Sequence, residues 1–143
     1  MTVKQALKEK NKLVLEIMKH YLIAKEHNSI EQGNPRRYSV KAALEIAKEL
    51  TKDLVDLKTK IHKANAPVYD KIFLMAELKS SAKLLKGLNC EEGKVTERFG
   101  SSVSIKEVEI NIVQRNEMIN NLEAQIEQLQ DELDAHNATT QID

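Results

Sequence analysis

The sequence predicts an all-α protein, a four-segment antiparallel helical bundle with long coiled-coil-like helices, in a single domain over residues 1–143. Three observations predict it. All four Gly and both Pro fall in three places, Gly33/Pro35, Pro67, and Gly87 through Gly93 to Gly100. Gly and Pro are the strongest local punctuation, so three breaks leave four segments. Within each segment, apolar residues recur at three- and four-residue steps, the period of one helix face. Aromatic residues are only 3% of the chain and Trp is absent, so the core must be filled by Leu, Ile, Val and Ala, the side chains of helix seams.

The first segment predicts a helix over about 3–27. Thr2 stands three residues before Gln5, the spacing of a capping box. Val3, Leu7, Lys10, Val14, Ile17, Tyr21 and Ala24 then form its expected stripe. Leu13, Leu15, Met18, Leu22 and Ile23 widen that stripe in the second half, which predicts burial on two sides there. EHNSIEQGNPRRYS is a loop, and Ser39 is an N-cap for a second helix over 40–64. This one carries Val40, Ala43, Ala47, Leu50, Leu54, Leu57, Ile61 and Ala64 in unbroken alternation, with small residues at its start that allow close approach. NAP forms a turn or a kink, with Pro67 suited to the start of a third helix over 68–86. Leu74, Leu78, Ser81, Leu85 and Leu88 mark its expected face, and Gly87 is placed to end it. Residues 88–103 read as irregular and polar, with VTERF able to extend locally but too short to predict a sheet. Ser104 and Glu107 form a second capping-box spacing, opening a helix over 105–136, on the order of 45 Å long. Its seam is Ile105, Val108, Ile112, Arg115, Ile119, Leu122, Ile126, Leu129, Leu133 and His136.

The net charge of zero conceals a division. Residues 1–88 hold 18 Lys/Arg against 10 Asp/Glu, whereas residues 89–143 hold 4 against 12. A parallel self-pair of the last helix would align Asn111 with Asn116, Met118 with Glu123 and Gln125 with Gln130, none of them oppositely charged. Packing the acidic helix on the lysine-rich ones is electrostatically better, within the chain or between copies. The long helices and broad stripes predict a homo-oligomer, with the long helices exchanged or laid side by side.

No classical enzyme chemistry is visible: the chain has no P-loop, dinucleotide fingerprint, nucleophile elbow or Cys–His signature. Glu16/His20 and Glu132/His136 are four residues apart, whereas di-iron carboxylate bundles use Glu-x-x-His, so neither a metal nor another cofactor is expected. Arg115 interrupts an apolar seam and needs acceptors for its donors, either a carboxylate in an ion pair that fixes register or an anionic ligand. In an up-down-up-down bundle the second and fourth helices end together. That brings His62 and Asn65 near His136, Asn137, Thr139 and Thr140, a set that either caps helix ends or holds an unidentified small ligand. Neutral net charge and scarce stacking rings argue against nucleic acid. The lone Cys90, an N-terminal MTVKQALKEKNK without an apolar core, and the lack of any membrane-length apolar run predict a cytoplasmic protein with no membrane partner.

TVKQALKEKNKL (2–13), NSIEQGNP (28–35), KIHKANAP (60–67) and AHNATTQI (135–142) resemble a family of small bacterial helical proteins labelled septicolysin or uncharacterised. The similarity runs along almost the whole chain and is weakest around 88–103. It implies an all-helical fold and marks Glu31, Gly33, Asn65, Asn137, Thr139 and Thr140 as family-pattern positions. The label suggests a pore-forming toxin, whereas the polar outer helix faces suggest a bundle in water. The resemblance implies no settled activity. The reading it leaves is a non-enzymatic, self-associating assembly or interaction module, with a ligand- or metal-binding bundle as the alternative and a cytolysin after that.

Overall fold

The computed structural model describes residues 1–96 and 103–143. It is mostly helical, with α1 Val3–His27, α2 Val40–Asn65, α3 Tyr69–Lys86 and α4 Ile112–Thr139, and a two-stranded sheet, β1 Gly93–Thr96 and β2 Val103–Lys106. The chain divides into two compact units. One is Met1–Pro67 with Ala135–Asp143, the other Val68–Asp134.

In the first unit, α1 and α2 form an antiparallel hairpin. The Thr2 hydroxyl accepts from the Gln5 N–H at 3.2 Å and the Gln5 side chain accepts from the Thr2 N–H at 2.8 Å, so the capping box is complete. Ser39 caps α2 by accepting from the Ala42 N–H. The buried residues of α2 are Ala43, Ala47 and Ile61, all on the predicted seam. On α1 the inner face differs from the expected stripe. Val3, Ala6 and Ala24 are buried and Leu13 and His20 partly so, while Val14 and Tyr21 lie exposed. The reason is steric. The seam that meets the small residues of α2 runs Val3, Ala6, Lys10, Leu13, Ile17, His20 and Ala24, a strict heptad register, and short side chains let the two backbones close. Val14 and Tyr21 are one position out of that register. At the open end of the hairpin Val3, Ala6 and Ile61 make a cluster, flanked by Leu7, Leu57, Ala64 and Ile142.

Helix α3 follows a single 3-10 turn over Ala66–Val68, and Pro67 sits in that turn, where NAP was expected to turn or kink the chain. Its inner face is also turned from the expected one. Ala82 is buried and Ile72, Met75, Leu78 and Leu85 partly so, but Leu74 and Ser81 are exposed. Gly87 follows with φ −86°, so α3 ends without the left-handed turn that Gly would permit. The strands β1 and β2 pair antiparallel, Gly93 opposite Lys106 and Lys94 opposite Ile105, where an irregular stretch was expected. The part of that stretch over 97–102 lies outside the described residues.

Pairing in this hairpin takes Ser104 and Ile105 away from α4. The helix therefore begins one heptad later than predicted. Asn111 is its cap, with the Asn111 Oδ1 accepting from the Gln114 N–H and the Gln114 Oε1 accepting from the Asn111 N–H, both at 2.9 Å. From Arg115 onward the predicted seam holds: Ile119 and Leu133 are buried and Leu122, Ile126 and Leu129 half-buried. Helices α3 and α4 run antiparallel, with Lys71 paired to Glu132 at 3.0 Å and Lys86 to Glu123 at 3.4 Å. These pairs set acidic α4 against lysines of α3.

Candidate functional site

Three of the predicted site residues come together at the open end of the hairpin. Asn65 is the last residue of α2, and α4 delivers His136 one turn before its end. The His136 Nε2 stands 3.1 Å from the Asn65 Oδ1, and its Nδ1 stands 3.1 Å from the Thr140 hydroxyl. A neutral imidazole with its proton on Nε2 satisfies both contacts: Nε2–H donates to Asn65, and the Thr140 hydroxyl donates to Nδ1.

Beyond Thr140 the backbone pairs with the start of α1. The Val3 N–H donates to the Thr140 carbonyl at 2.9 Å and the Ile142 N–H to the Met1 carbonyl at 3.0 Å. The Met1 amino group reaches the Gln141 side chain at 3.1 Å. Val3 N–H is one of the donors that the first turn of α1 leaves without a helical partner, so the strap serves as part of its cap. Ile142, beside it, joins the Val3–Ala6–Ile61 cluster. The cluster is thus a clasp in which polar contacts fix the strap and one apolar side chain anchors it.

The other candidates lie around rather than in this clasp. Asn137 is half-buried within α4, and the Thr139 hydroxyl donates to the Ala135 carbonyl at 2.8 Å. His62 is exposed one turn before the end of α2. Capping by Asn65 or Asn137 in the left-handed conformation does not occur, because no non-glycine residue among those described has positive φ. A depression of about 130 Å³ beside the strap is lined by Lys60, Lys63, Ala64, Gln141 and Asp143. That is smaller than the few hundred Å³ typical of ligand pockets.

Arg115 is in the other unit and does other work. Its Nη1 donates to the carbonyls of Lys86 and Leu88 at 3.4 and 3.3 Å, and its Nη2 to the Asn116 side chain at 3.2 Å. Its buried Nε has no partner. The expected carboxylate is replaced by main-chain oxygens where α3 runs out, a cationic cap on the negative end of a helix. At the opposite end of α3, Lys71 beside Glu132 holds that carboxyl below the usual glutamate range through their hydrogen bond and charge attraction.

Sequence reasoning missed a matching cap in the first unit. Arg36 donates to the carbonyls of His27 and Asn28 at 2.7 and 3.0 Å, closing α1 from within the loop. His27 packs on Tyr38 with ring centroids 4.6 Å apart. Gly33 turns the loop at φ +92°, a conformation only Gly adopts without strain. The His20 ring bonds the Glu16 carbonyl at 2.7 Å, not its carboxylate.

Among the described residues no group of three or more His, Cys, Asp or Glu is placed to hold a metal ion, and no helix is long and apolar enough to cross a membrane. No protein-family model, curated protein or solved structure matches the chain.

What the structure does leave open is a surface. On α1, Leu15 is 65% exposed, Met18 61%, Tyr21 54% and Leu22 52%, one above another along two turns. Leu44, Ile46 and Val55 of α2 are exposed as well.

Proposed function

We propose that the protein is a non-enzymatic helical assembly module that associates with copies of itself. The observation that carries this reading is the exposed row Leu15, Met18, Tyr21 and Leu22 in the middle of α1. Single exposed leucines are ordinary on protein surfaces, but a contiguous apolar row is a mark of an interaction face. The four-helix bundle expected from the sequence is then completed by helices of neighbouring copies. The clasp around His136 supports the same reading, since its donors and acceptors are spent on holding the strap to the hairpin. A reducing, cytoplasmic setting for Cys90 and membership of the septicolysin-labelled bacterial family belong to this proposal. Ligand binding at Asn65, His136 and Thr140 is the second reading, favoured by their convergence alone.

Native mass spectrometry of the protein at near-neutral pH and micromolar concentration tests the proposal. A closed oligomer with no added mass is the expected result. A monodisperse monomer would overturn it, and reproducible extra mass per subunit would move the assignment to the ligand-binding reading.

A further inference from the structure

Lettering the hairpin by its buried seam divides its surface into two faces of different chemistry. With seam positions a and d at Val3 and Ala6 on α1, and at Val40 and Ala43 on α2, the e and b positions of both helices fall on one side. In an antiparallel pair, e faces e and g faces g across the seam. The apolar members of the e/b face are Leu7, half-buried at the open end, and Val14, Met18, Tyr21, Leu44 and Val55, all exposed, with the exposed Leu15 and Leu22 beside it at f positions. Around them at the same positions stand Lys4, Lys25, Lys41, Lys48 and Lys58. No Asp or Glu occupies an e or b position of either helix.

The carboxylates are on the far side. The hairpin's ion pairs, Lys12–Glu9, Lys19–Glu16, Lys52–Glu49 and Lys60–Asp56, all use c, f and g positions. Lys52, beside Glu49, has its pKa raised by that hydrogen bond and charge, as a cation on a balanced surface should. The e/b face has no such balance. It is an apolar strip rimmed by cations only.

We infer that this lysine-rimmed face of the α1–α2 hairpin is the self-association surface, and that its occupant is the acidic outer stripe of α4 from a second copy. The inference rests on the self-association proposed above. Charge selects the occupant. Two copies of the e/b face laid on each other would bring lysines against lysines with no carboxylate between them, a repulsive arrangement. Residues 112–134 carry Arg115 alone against six carboxylates. Glu123 and Glu132 of these are engaged by Lys86 and Lys71. The remaining four, Glu117, Glu127, Asp131 and Asp134, fall on b and f positions of the α4 heptad, turned away from its buried seam, and are exposed. No cation occupies a b or f position over that stretch, and Val113 and Ala124 supply exposed apolar contacts along it. One surface lacks anions and the other lacks cations. Contact between two different surfaces on identical chains builds a ring or filament, or closes as a two-fold pair when both contacts form at once.

The test is a charge swap read by sedimentation velocity and native mass spectrometry. One variant carries Lys48→Glu with Lys58→Glu, the other Glu127→Lys with Asp131→Lys. All four positions are exposed, and circular dichroism checks that helix content is kept. Each variant alone should associate at least about tenfold more weakly than the unaltered protein, and an equimolar mixture should regain the assembly. If the unaltered protein associates and Lys48→Glu with Lys58→Glu leaves its affinity unchanged, the assigned face is wrong while self-association stands. If that variant associates more tightly, the lysine faces pair with each other and the assigned occupant is wrong. If the unaltered protein is monomeric at micromolar concentration, self-association itself fails. Should that monomer sediment with phosphatidylserine-containing vesicles, the face serves an anionic lipid surface, which also overturns the inference.

Discussion

Ile61 and Ile46 lie on the same helix, are chemically identical and differ in one respect, burial: Ile61 is 7% exposed and Ile46 46%. Replacing Ile61 with Ala removes three carbons from the cluster of Val3, Ala6 and Ile61. At about 0.8 kcal/mol per buried carbon, the transfer loss is about 2–2.5 kcal/mol. The strap over residues 140–142 is pinned by two backbone hydrogen bonds, so it cannot fully follow Ile142 into the space left behind. A residual cavity raises the total to about 3–4 kcal/mol, inside the range for Ile-to-Ala changes in cores. A unit of this size has about 4–11 kcal/mol of stability in all, so the variant loses from about a quarter to nearly all of it at 25 °C. Ile46→Ala should cost less than about 0.5 kcal/mol. Urea unfolding followed by circular dichroism gives both numbers, at one fixed protein concentration because association adds stability by mass action. Equal costs for the two substitutions, or a cost below about 1 kcal/mol at Ile61, would refute the assignment of the hairpin core and of its strap.

The helix caps and the α3–α4 pairs make three further predictions. Asn111→Ala removes half of a reciprocal box and should cost about 1 kcal/mol in thermal unfolding, whereas Ser104→Ala, in a strand, should leave amide-exchange protection at the start of α4 unchanged. Arg115→Leu should cost about 1 kcal/mol and speed amide exchange at Gly87 and Leu88, with no dependence on added sulfate, because its bonds go to carbonyls and are long. Lys71 depresses the folded-state pKa of Glu132, so the contribution is present above the unfolded glutamate range and disappears as pH falls through the depressed value. The stability difference between the unaltered protein and Glu132→Gln should therefore be constant at neutral pH and vanish in acid, and an NMR titration of the Glu132 carboxyl should read below that of an exposed glutamate.

The legibility of the fold tracks how many registers each segment allows. Helix α2 has a single unbroken apolar row, so its seam could be assigned residue by residue. Helix α1 has apolar residues at a, d, e, b and f positions together, and periodicity alone admits two rows through them. Only the small residues facing it on α2 decide between them, and that is tertiary information. The start of α4 was ambiguous for a related reason. Ser104 with Glu107 and Asn111 with Gln114 are both capping pairs, seven residues apart, so each leaves the heptad phase unchanged. The pairing of β1 with β2 consumes the earlier one. The Asn65–His136–Thr140 convergence followed from where the helices end, which sequence can indicate. The partners of Arg115 and Arg36 are main-chain carbonyls, and a carbonyl leaves no mark in a sequence.

The placement of small and large side chains leads to a last expectation. The hairpin seam buries mostly alanine, while Leu15, Met18, Tyr21 and Leu22 stay in water. Alanine brings close approach but little apolar area, so the hairpin alone gains less from burial than its composition could supply. Fully covering one large apolar side chain is worth about 1.5–3 kcal/mol, and with these four a half to two-thirds exposed, covering the row would add about 3–7 kcal/mol. If a second copy supplies that cover, folding and association are linked, and the unfolding midpoint must depend on protein concentration. For a pair of chains of this length, unfolding enthalpy near 60 °C is about 200 kcal/mol, which gives a rise of about 2–3 °C per tenfold increase in concentration. Differential scanning calorimetry over two decades of concentration measures it. A flat midpoint in a protein that unfolds reversibly would mean that the row stays bare through the transition, and that the seam of alanines holds the hairpin without help.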